Sequence, residues 1–519
     1  MLWLALHLPA LSLESWAAVR EPAAAGRPLA LLHEHQVLHA DAQALARGVR
    51  PGMKRATALA LAPDLLLGAA DARRDARALR AVADVALGFS PAVAWQPPQD
   101  PPALVGVRLE VQSCLRCFGG LPALLARLRA ALAPLGHRVQ IASAPTALGA
   151  ALLAGWRDDL ALGPHGSRRE ALQKLLDAAP LALLVADAAQ AAALQGMGLQ
   201  RLADLHRLPR DGLARRFGPG LLADIDRARG HAAEAHAWLT LAPRFASRLE
   251  LMCRADTSAQ LLAGARVLLA RLLAWAGARQ ARIARFTLVM HHEPRRHRAG
   301  AEAPPERTAL VIAPAEPAAD AGHLHSLLAE RLGRLPLPAP ALELSLSCDQ
   351  LVAGPPPNGE LFASPASQRE GLARLVERLQ ARLGAERVQR CLPMADHRPE
   401  CSTRWQVVDP ARLGLPAATA DPAAGLPDAA AALAAQPLWL LSPPQPLAEQ
   451  VQGPLLDGRP LQLLAGPERL ETGWWDDGGP AVRDYFIAQA ASGALVWVFR
   501  QRLPVEGAGS GWFLQGRFA

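Results

Sequence analysis

The chain has 519 residues, with 55 Lys+Arg against 47 Asp+Glu and a formal charge of +8, which gives room for roughly three or four domains with real cores. It is 51% hydrophobic and 20% charged, which excludes global disorder, a collagen-like chain and a disulfide scaffold. Ala, Leu, Arg and Pro dominate, so arginine usage reflects compositional bias, and a modest basic excess is compatible with nucleic acid as a partner.

In chain order, residues 2–8 alternate little and read as a buried strand. The apolar start lacks a basic n-region, and His7 and Pro9 interrupt it, so a strand fits better than a signal peptide. Helices are expected over residues 40–48, 54–62, 71–87, 121–135 and 145–156, and strands over 105–111 and 137–142. Strands alternating with helices indicate an α/β or α+β sheet domain. Residues 166–235 read as all helix with short Gly turns. Mixed structure returns at about 243: strand 245–253, helix 258–275, strands 283–291 and 308–312, helix 323–332 and a strand through Leu342, Leu344 and Leu346. That order is a βαββαβ, split-βαβ unit. Residues 354–365 are rich in Pro and Gly, 371–383 read as helix, and 410–436 read as an Ala/Pro linker. The tail from 437 is strand-like and rich in Trp. No run reaches the ~18–20 uninterrupted apolar residues of a convincing membrane span. Six scattered cysteines, with a single CxxC at Cys114 and Cys117, leave a four-Cys zinc site unsupported and fit a reduced, cytoplasmic protein.

Two features suggest contact with nucleic acid. Gly196 and Gly198, with Leu194 before and Leu202 and Leu205 after, have the form of a helix-hairpin-helix, whose backbone amides can approach a phosphate. A plain helical connector explains the same glycines. The βαββαβ segment carries Arg248, Arg254, Arg266, Arg271, Arg279, Arg282, Arg285, Arg295, Arg296 and Arg298, with few acids between. A basic sheet facing a duplex explains this, and so does a solvated face in an arginine-biased chain.

Gly48-Val49-Arg50-Pro51-Gly52-Met53, followed by Ala58 to Leu65, resembles the fingers segment of Y-family DNA polymerases. Phe89-Ser90-Pro91, Leu109-Glu110-Val111 and Cys117-Phe118-Gly119-Gly120 resemble their palm, and the hairpin thumb and βαββαβ little finger follow in family order. The resemblance implies an α+β multidomain chain: palm and fingers over 1–165, thumb over 166–240 and little finger over 241–352. Beyond these come a clamp-binding loop and helix over 353–408, a linker over 409–436 and a small β-rich C-terminal region over 437–519.

The departures from that family are as informative. Two-metal phosphoryl transfer needs carboxylates from two palm strands. The family's first acid falls at His7, its second pair at Val105 and Gly106, and the Tyr and Arg that hold the triphosphate at Ala42 and Leu45. One histidine and Glu110 cannot build a two-metal clamp, so no catalytic residue, metal or cofactor is expected. A polymerase-like body without these acids resembles the ImuB family. Residues 387–393, 397–400, 437–441, 466–475, 483–486 and 512–516 resemble that family's C-terminal half. The resemblance implies a non-catalytic adapter in SOS-induced, error-prone translesion synthesis. Its partners would be damaged or primer-template DNA, the sliding clamp, an ImuA-type RecA-like protein and an error-prone DnaE-type polymerase, with no membrane. Asn358, Glu360, Leu361 and Phe362 lie where such proteins carry a clamp-binding peptide, whose physics is two apolar side chains entering a preformed pocket. Ala435 to Trp439 is a rival. Alternatives are an active, divergent polymerase and a stand-alone DNA-binding repair factor.

Overall fold

The computed structural model describes residues 1–18, 26–95, 104–160, 168–185, 187–293, 305–354, 365–394, 396–413, 437, 439–451, 453–475, 480–502 and 511–518. The chain divides into two compact units, residues 1–361 and 362–519.

The first unit opens with β1 (Trp3–His7), α1 (Leu11–Ala17), β2 (Leu29–His33), β3 (Gln36–Ala40), α2 (Ala42–Ala46), α3 (Arg55–Leu61), β4 (Leu66–Ala69) and α4 (Ala72–Leu87). It continues through β5 (Val93–Trp95), β6 (Gly106–Glu110), α5 (Leu115–Phe118), α6 (Leu121–Leu132), β7 (Gln140–Ala144) and α7 (Ala147–Trp156). The main sheet is antiparallel in the order β5-β6-β1-β7. Leu2, Leu4, Leu6 and Leu8 pack with Leu79 and Val82 of α4 and Leu124 and Leu128 of α6. Trp3 and Ala5 pack on the other side with Ala147, Ala150 and Ala151 of α7. Both faces of β1 are covered, which is why its sequence is a continuous apolar run rather than an alternation. Full burial of one such leucine contributes about 1.5–3 kcal/mol.

The expected helix at 71–87 is α4, with the Asp71 side chain accepting from the Arg73 amide at its start and Gly88 at its end. The strand expected at 137–142 begins three residues later, at Gln140, where pairing with His7 fixes its register. Two features were not expected. Helix α1 is held by its serines: Ser12 Oγ and Ser15 Oγ donate to the buried Asp75 of α4 at 2.5 and 3.1 Å. A small sheet in the order β3-β2-β4 surrounds a core of Ala30, Val37, Ala44, Val49 and Ala58.

Residues 168–230 are helical as expected: α8 (Arg169–Ala178), α9 (Ala188–Gly196), α10 (Arg210–Phe217) and α11 (Pro219–Arg229). Next come β8 (Phe245–Ala255), α12 (Ser258–Ala278), β9 (Ala281–His292), β10 (Arg307–Ile312), α13 (Ala321–Arg334) and β11 (Ala341–Ala353). This is the βαββαβ order read from the sequence. The sheet is antiparallel in the order β10-β9-β11-β8, so β11 lies between the mutually parallel β8 and β9. Thr257 and Gln260 form a capping box at the start of α12. At Gly264 a Cβ would lie 2.8 Å from Leu251 and 2.9 Å from Leu344, so the glycine lets α12 sit close on the sheet. By length and composition α12 could cross a membrane, but Leu261, Leu268, Leu272 and Trp275 are buried in the protein. It is a core helix.

Helix α12 also lies against α4, and Ala274 packs against the β1 core. The connecting segment is fastened along its length. The Leu239 amide donates to the Val93 carbonyl at 2.8 Å, Arg80 Nη2 to Thr240 O at 2.8 Å, and Trp275 Nε1 and Arg279 Nη2 to Ala242 O at 3.0 and 2.6 Å.

The second unit holds α14 (Pro365–Leu383), the hairpin β12 (Gln389–Pro393) and β13 (Thr403–Val407), and then β14 (Trp439–Gln450), β15 (Gly453–Leu456), β16 (Arg459–Pro460), β17 (Gln462–Thr472), β18 (Ala481–Gln489), β19 (Leu495–Gln501) and β20 (Trp512–Arg517). The last seven strands form one antiparallel sheet in the order β16-β15-β14-β20-β19-β18-β17. Buried Tyr485 donates to Gln515 Oε1 at 3.1 Å, and Arg483 Nη1 and Gln515 Nε2 donate to Glu400 at 3.0 and 3.2 Å. Glu400 therefore belongs with this sheet. The boundary read at 408 assigned Glu400 to the loop-and-helix segment; in the structure its carboxylate bonds to β18 and β20. Most of the linker expected over 409–436 lies outside the described residues.

Candidate functional site

His7 ends β1, where it pairs with Gly106 on one side and Gln140 on the other. Its Nδ1 lies 3.0 Å from the Val105 carbonyl, an acceptor only, so Nδ1 carries the proton and Nε2 is the acceptor. Burial holds the His7 pKa below its usual 6.5, opposed by the Val105 carbonyl. The imidazole is therefore neutral at neutral pH. The structure thus brings His7, Val105 and Gly106 together at one strand end. They border a cavity of about 10 Å³ lined also by Ala5, Leu6, Leu104, Val107, Arg108 and Ala151, no larger than one water. None of these lining residues is an acid. A Cβ at Gly106 would overlap the Leu6 carbonyl oxygen, so a side chain there requires the backbone to move. Glu110 sits at the opposite end of the strand, opposite Trp3. Its carboxylate accepts from the Leu2 and Gln112 amides at 3.3 and 3.1 Å. Ala42 and Leu45 are exposed on α2. Among the described residues no three His, Cys, Asp or Glu side chains are grouped to hold a metal ion.

Gly196 closes α9, and Gly198 follows with φ +80°. Neither has an atom within 4 Å of the place a Cβ would take, so the turn can come close to another molecule. The Gly198 amide donates to Gln195 O at 2.8 Å and Leu199 to Leu194 O at 3.1 Å, closing the helix end. The Gln200 and Arg201 amides donate to Asp204 Oδ2 at 3.0 and 2.9 Å. These amides are engaged within the chain, so the turn offers close approach rather than free donors. A second glycine turn, Gly218 with φ +83° between α10 and α11, is equally open.

Most of the described arginines named in the βαββαβ segment are engaged. Arg248 pairs with Glu343 at 2.7 Å, and Arg254 with Asp256 and Glu293 at 3.5 and 3.6 Å. Arg266 Nε donates to His325 Nε2 at 2.6 Å. Arg282 and Arg285 differ. They lie on β9 opposite Val352 and Gln350, between positions that point Ile283 and Phe286 into the core. Among the described residues neither has an ion pair, and Arg282 Nε is buried without a partner. Arg295, Arg296 and Arg298 lie outside the described residues, as do Asn358, Glu360, Leu361 and Phe362. Of the rival segment, Trp439 is described, at the start of β14 and 71% exposed.

Sequence reading missed the engagement of the hairpin amides, of which those of Gln200 and Arg201 depend on Asp204, three residues after Arg201, a capping-box spacing visible in the sequence. It also grouped all the arginines together, because ion pairing across strands follows register that composition does not reveal.

A sheet domain, an all-helical segment and a βαββαβ domain follow one another in unit 1, and residues 12–155 match the model of the impB/mucB/samB family. Together they mark residues 12–155 as a domain similar to the impB/mucB/samB family. Solved structures similar to it include a Dbh ternary complex (15% identity, TM-score 0.37) and DinB from Sulfolobus solfataricus (14%, TM-score 0.37), each covering 68% of this chain and 100% of its own. Protein ImuB from two strains of Caulobacter vibrioides is 31% identical over 504 residues, covering 91% of this chain and 100% of the relative. The chain belongs to the ImuB family.

Proposed function

We propose that the chain is a non-catalytic, DNA-binding adapter in SOS-induced, error-prone translesion synthesis. It links the sliding clamp to an ImuA-type RecA-like protein and an error-prone DnaE-type polymerase that performs the synthesis. The observation that carries this reading is the end of β1. There His7, Val105 and Gly106, which the segment count aligns with the metal-binding acids of a Y-family palm, border a space of about 10 Å³ with no acid in its lining. Two-metal catalysis needs carboxylates that clamp both ions, and a neutral imidazole beside a glycine supplies none. DNA contact is assigned to Arg282 and Arg285, supported by their lack of ion pairs, with the Gly196–Gly198 turn giving close approach to the backbone. Asn358, Glu360, Leu361 and Phe362 are assigned to the clamp.

Two measurements test the reading. Purified chain should give no template-dependent primer extension with Mg²⁺ or Mn²⁺; incorporation above a buffer control would favour a divergent active polymerase instead. In a pull-down with clamp, ImuA-type and DnaE-type proteins, the full chain should retain all three. The Leu361→Ala, Phe362→Ala double variant should lose the clamp alone, because two buried apolar anchors contribute about 3–6 kcal/mol together. Clamp retained by that variant moves the anchor to Trp439, and no clamp binding by the unmodified chain leaves a stand-alone DNA-binding factor.

A further inference from the structure

Arg271 lies on α12 and is 5% exposed, where the helix passes between β8 and α4. Its Nη1 donates to the neutral Ser247 Oγ at 3.3 Å. The charge that faces it is Arg77 of α4, of like sign, whose own Nη1 reaches the Arg248 carbonyl at 3.4 Å. Among the described residues neither guanidinium has an ion pair. Their neighbours are all committed: Arg80 to Asp84, Arg74 to Asp75, Arg248 to Glu343 and Arg279 to the Ala242 carbonyl.

A buried guanidinium without a counter-ion, beside a second one, is strongly unfavourable as it stands. Arg271 from α12 and Arg77 from α4 reach adjacent residues of β8, the Ser247 hydroxyl and the Arg248 carbonyl, and two arginine forks beside a hydroxyl are the donor set that a phosphate oxyanion takes. We propose that the seam between α4 and α12 is a phosphate-binding site, with Arg77, Arg271 and the Ser247 hydroxyl as its ligands. Burial, followed by Arg77, lowers the Arg271 pKa to about 10, so the side chain still carries its charge at neutral pH. An anion seated there turns a repulsion into two attractions and pins the βαββαβ domain to the first sheet. The inference does not depend on the adapter reading, since free phosphate and a nucleic-acid backbone present the same oxyanion.

The test uses the full chain, with Arg77→Met and Arg271→Met variants. Thermal unfolding is compared in inorganic phosphate and in chloride at matched ionic strength. Phosphate should raise the midpoint of the unmodified chain by a few degrees, and the rise should vanish in both variants. Duplex DNA binding is then followed across salt. A salt slope shallower by about 0.9 in Arg77→Met assigns the site to one backbone phosphate; a lost midpoint rise with an unchanged slope assigns it to free phosphate. Equal midpoints in the two salts together with an unchanged slope overturn the proposal, and so does a rise that persists in the variants. If Arg271→Met does not fold, the half-exposed Arg77→Met decides alone.

Discussion

Gly106 shows how much one residue can commit a site. Its hydrogen lies where a Cβ would meet the Leu6 carbonyl oxygen, on a strand paired with His7. Gly106→Ala must move main chain at the centre of a sheet, and overpacking of that kind costs about 1–3 kcal/mol. Urea unfolding should show a lower midpoint with an unchanged slope; a midpoint equal to that of the unmodified chain would mean that the strand end has room. The residue types at 7, 105 and 106, none of them acidic, are legible in the sequence, but the closing of the backbone over position 106 was not. It depends on the exact pairing of β1 with β6, which a single sequence does not specify.

Among the elements, those with strong local signals were legible. Helix α4 has a capping aspartate, an apolar face and a terminal glycine, and the βαββαβ order follows from alternation and capping in β8 to β11. The missed elements are short: β2, β3 and β4 span four or five residues each, too few for a period to stand out. Helix α1 has two buried serines whose acceptor lies 63 and 60 residues away on α4. Packing between α4 and α12 was also invisible, since long-range helix contacts leave no local pattern. It can be checked directly. A Cβ built on Gly88 lies 4.0 Å from the Ala278 Cα, so one further Cα–Cβ bond puts the two Cα atoms at most about 5.5 Å apart, inside the upper limit of about 6.8 Å that a disulfide spans. The Gly88→Cys, Ala278→Cys variant should therefore cross-link on mild oxidation, read as a reducible shift in gel mobility. Failure to cross-link would separate the two helices.

Across the whole molecule the charge is unevenly divided. Residues 1–361 carry 40 Lys+Arg against 31 Asp+Glu, and residues 362–519 carry 15 against 16. The excess that makes the chain basic therefore belongs to the first unit, where binding through phosphates is expected to lie. Reversing the two cations of β9 that have no ion pair among the described residues, with Arg282→Glu and Arg285→Glu, should weaken duplex binding for every sequence tested. It should also flatten the log–log salt dependence by about 1.8, at about 0.9 per phosphate contact; an unchanged slope would place the contacts elsewhere. In the second unit, β20 lies at the middle of the seven-stranded sheet, although a ribosome makes it after every strand it joins. Until Trp512–Arg517 emerges, β14–β16 and β17–β19 are two half-sheets, each with an edge open to mispairing. Nascent chains of this protein are thus at their most vulnerable just before β20 appears, and a premature stop at codon 511 removes the seam of the sheet rather than its fringe.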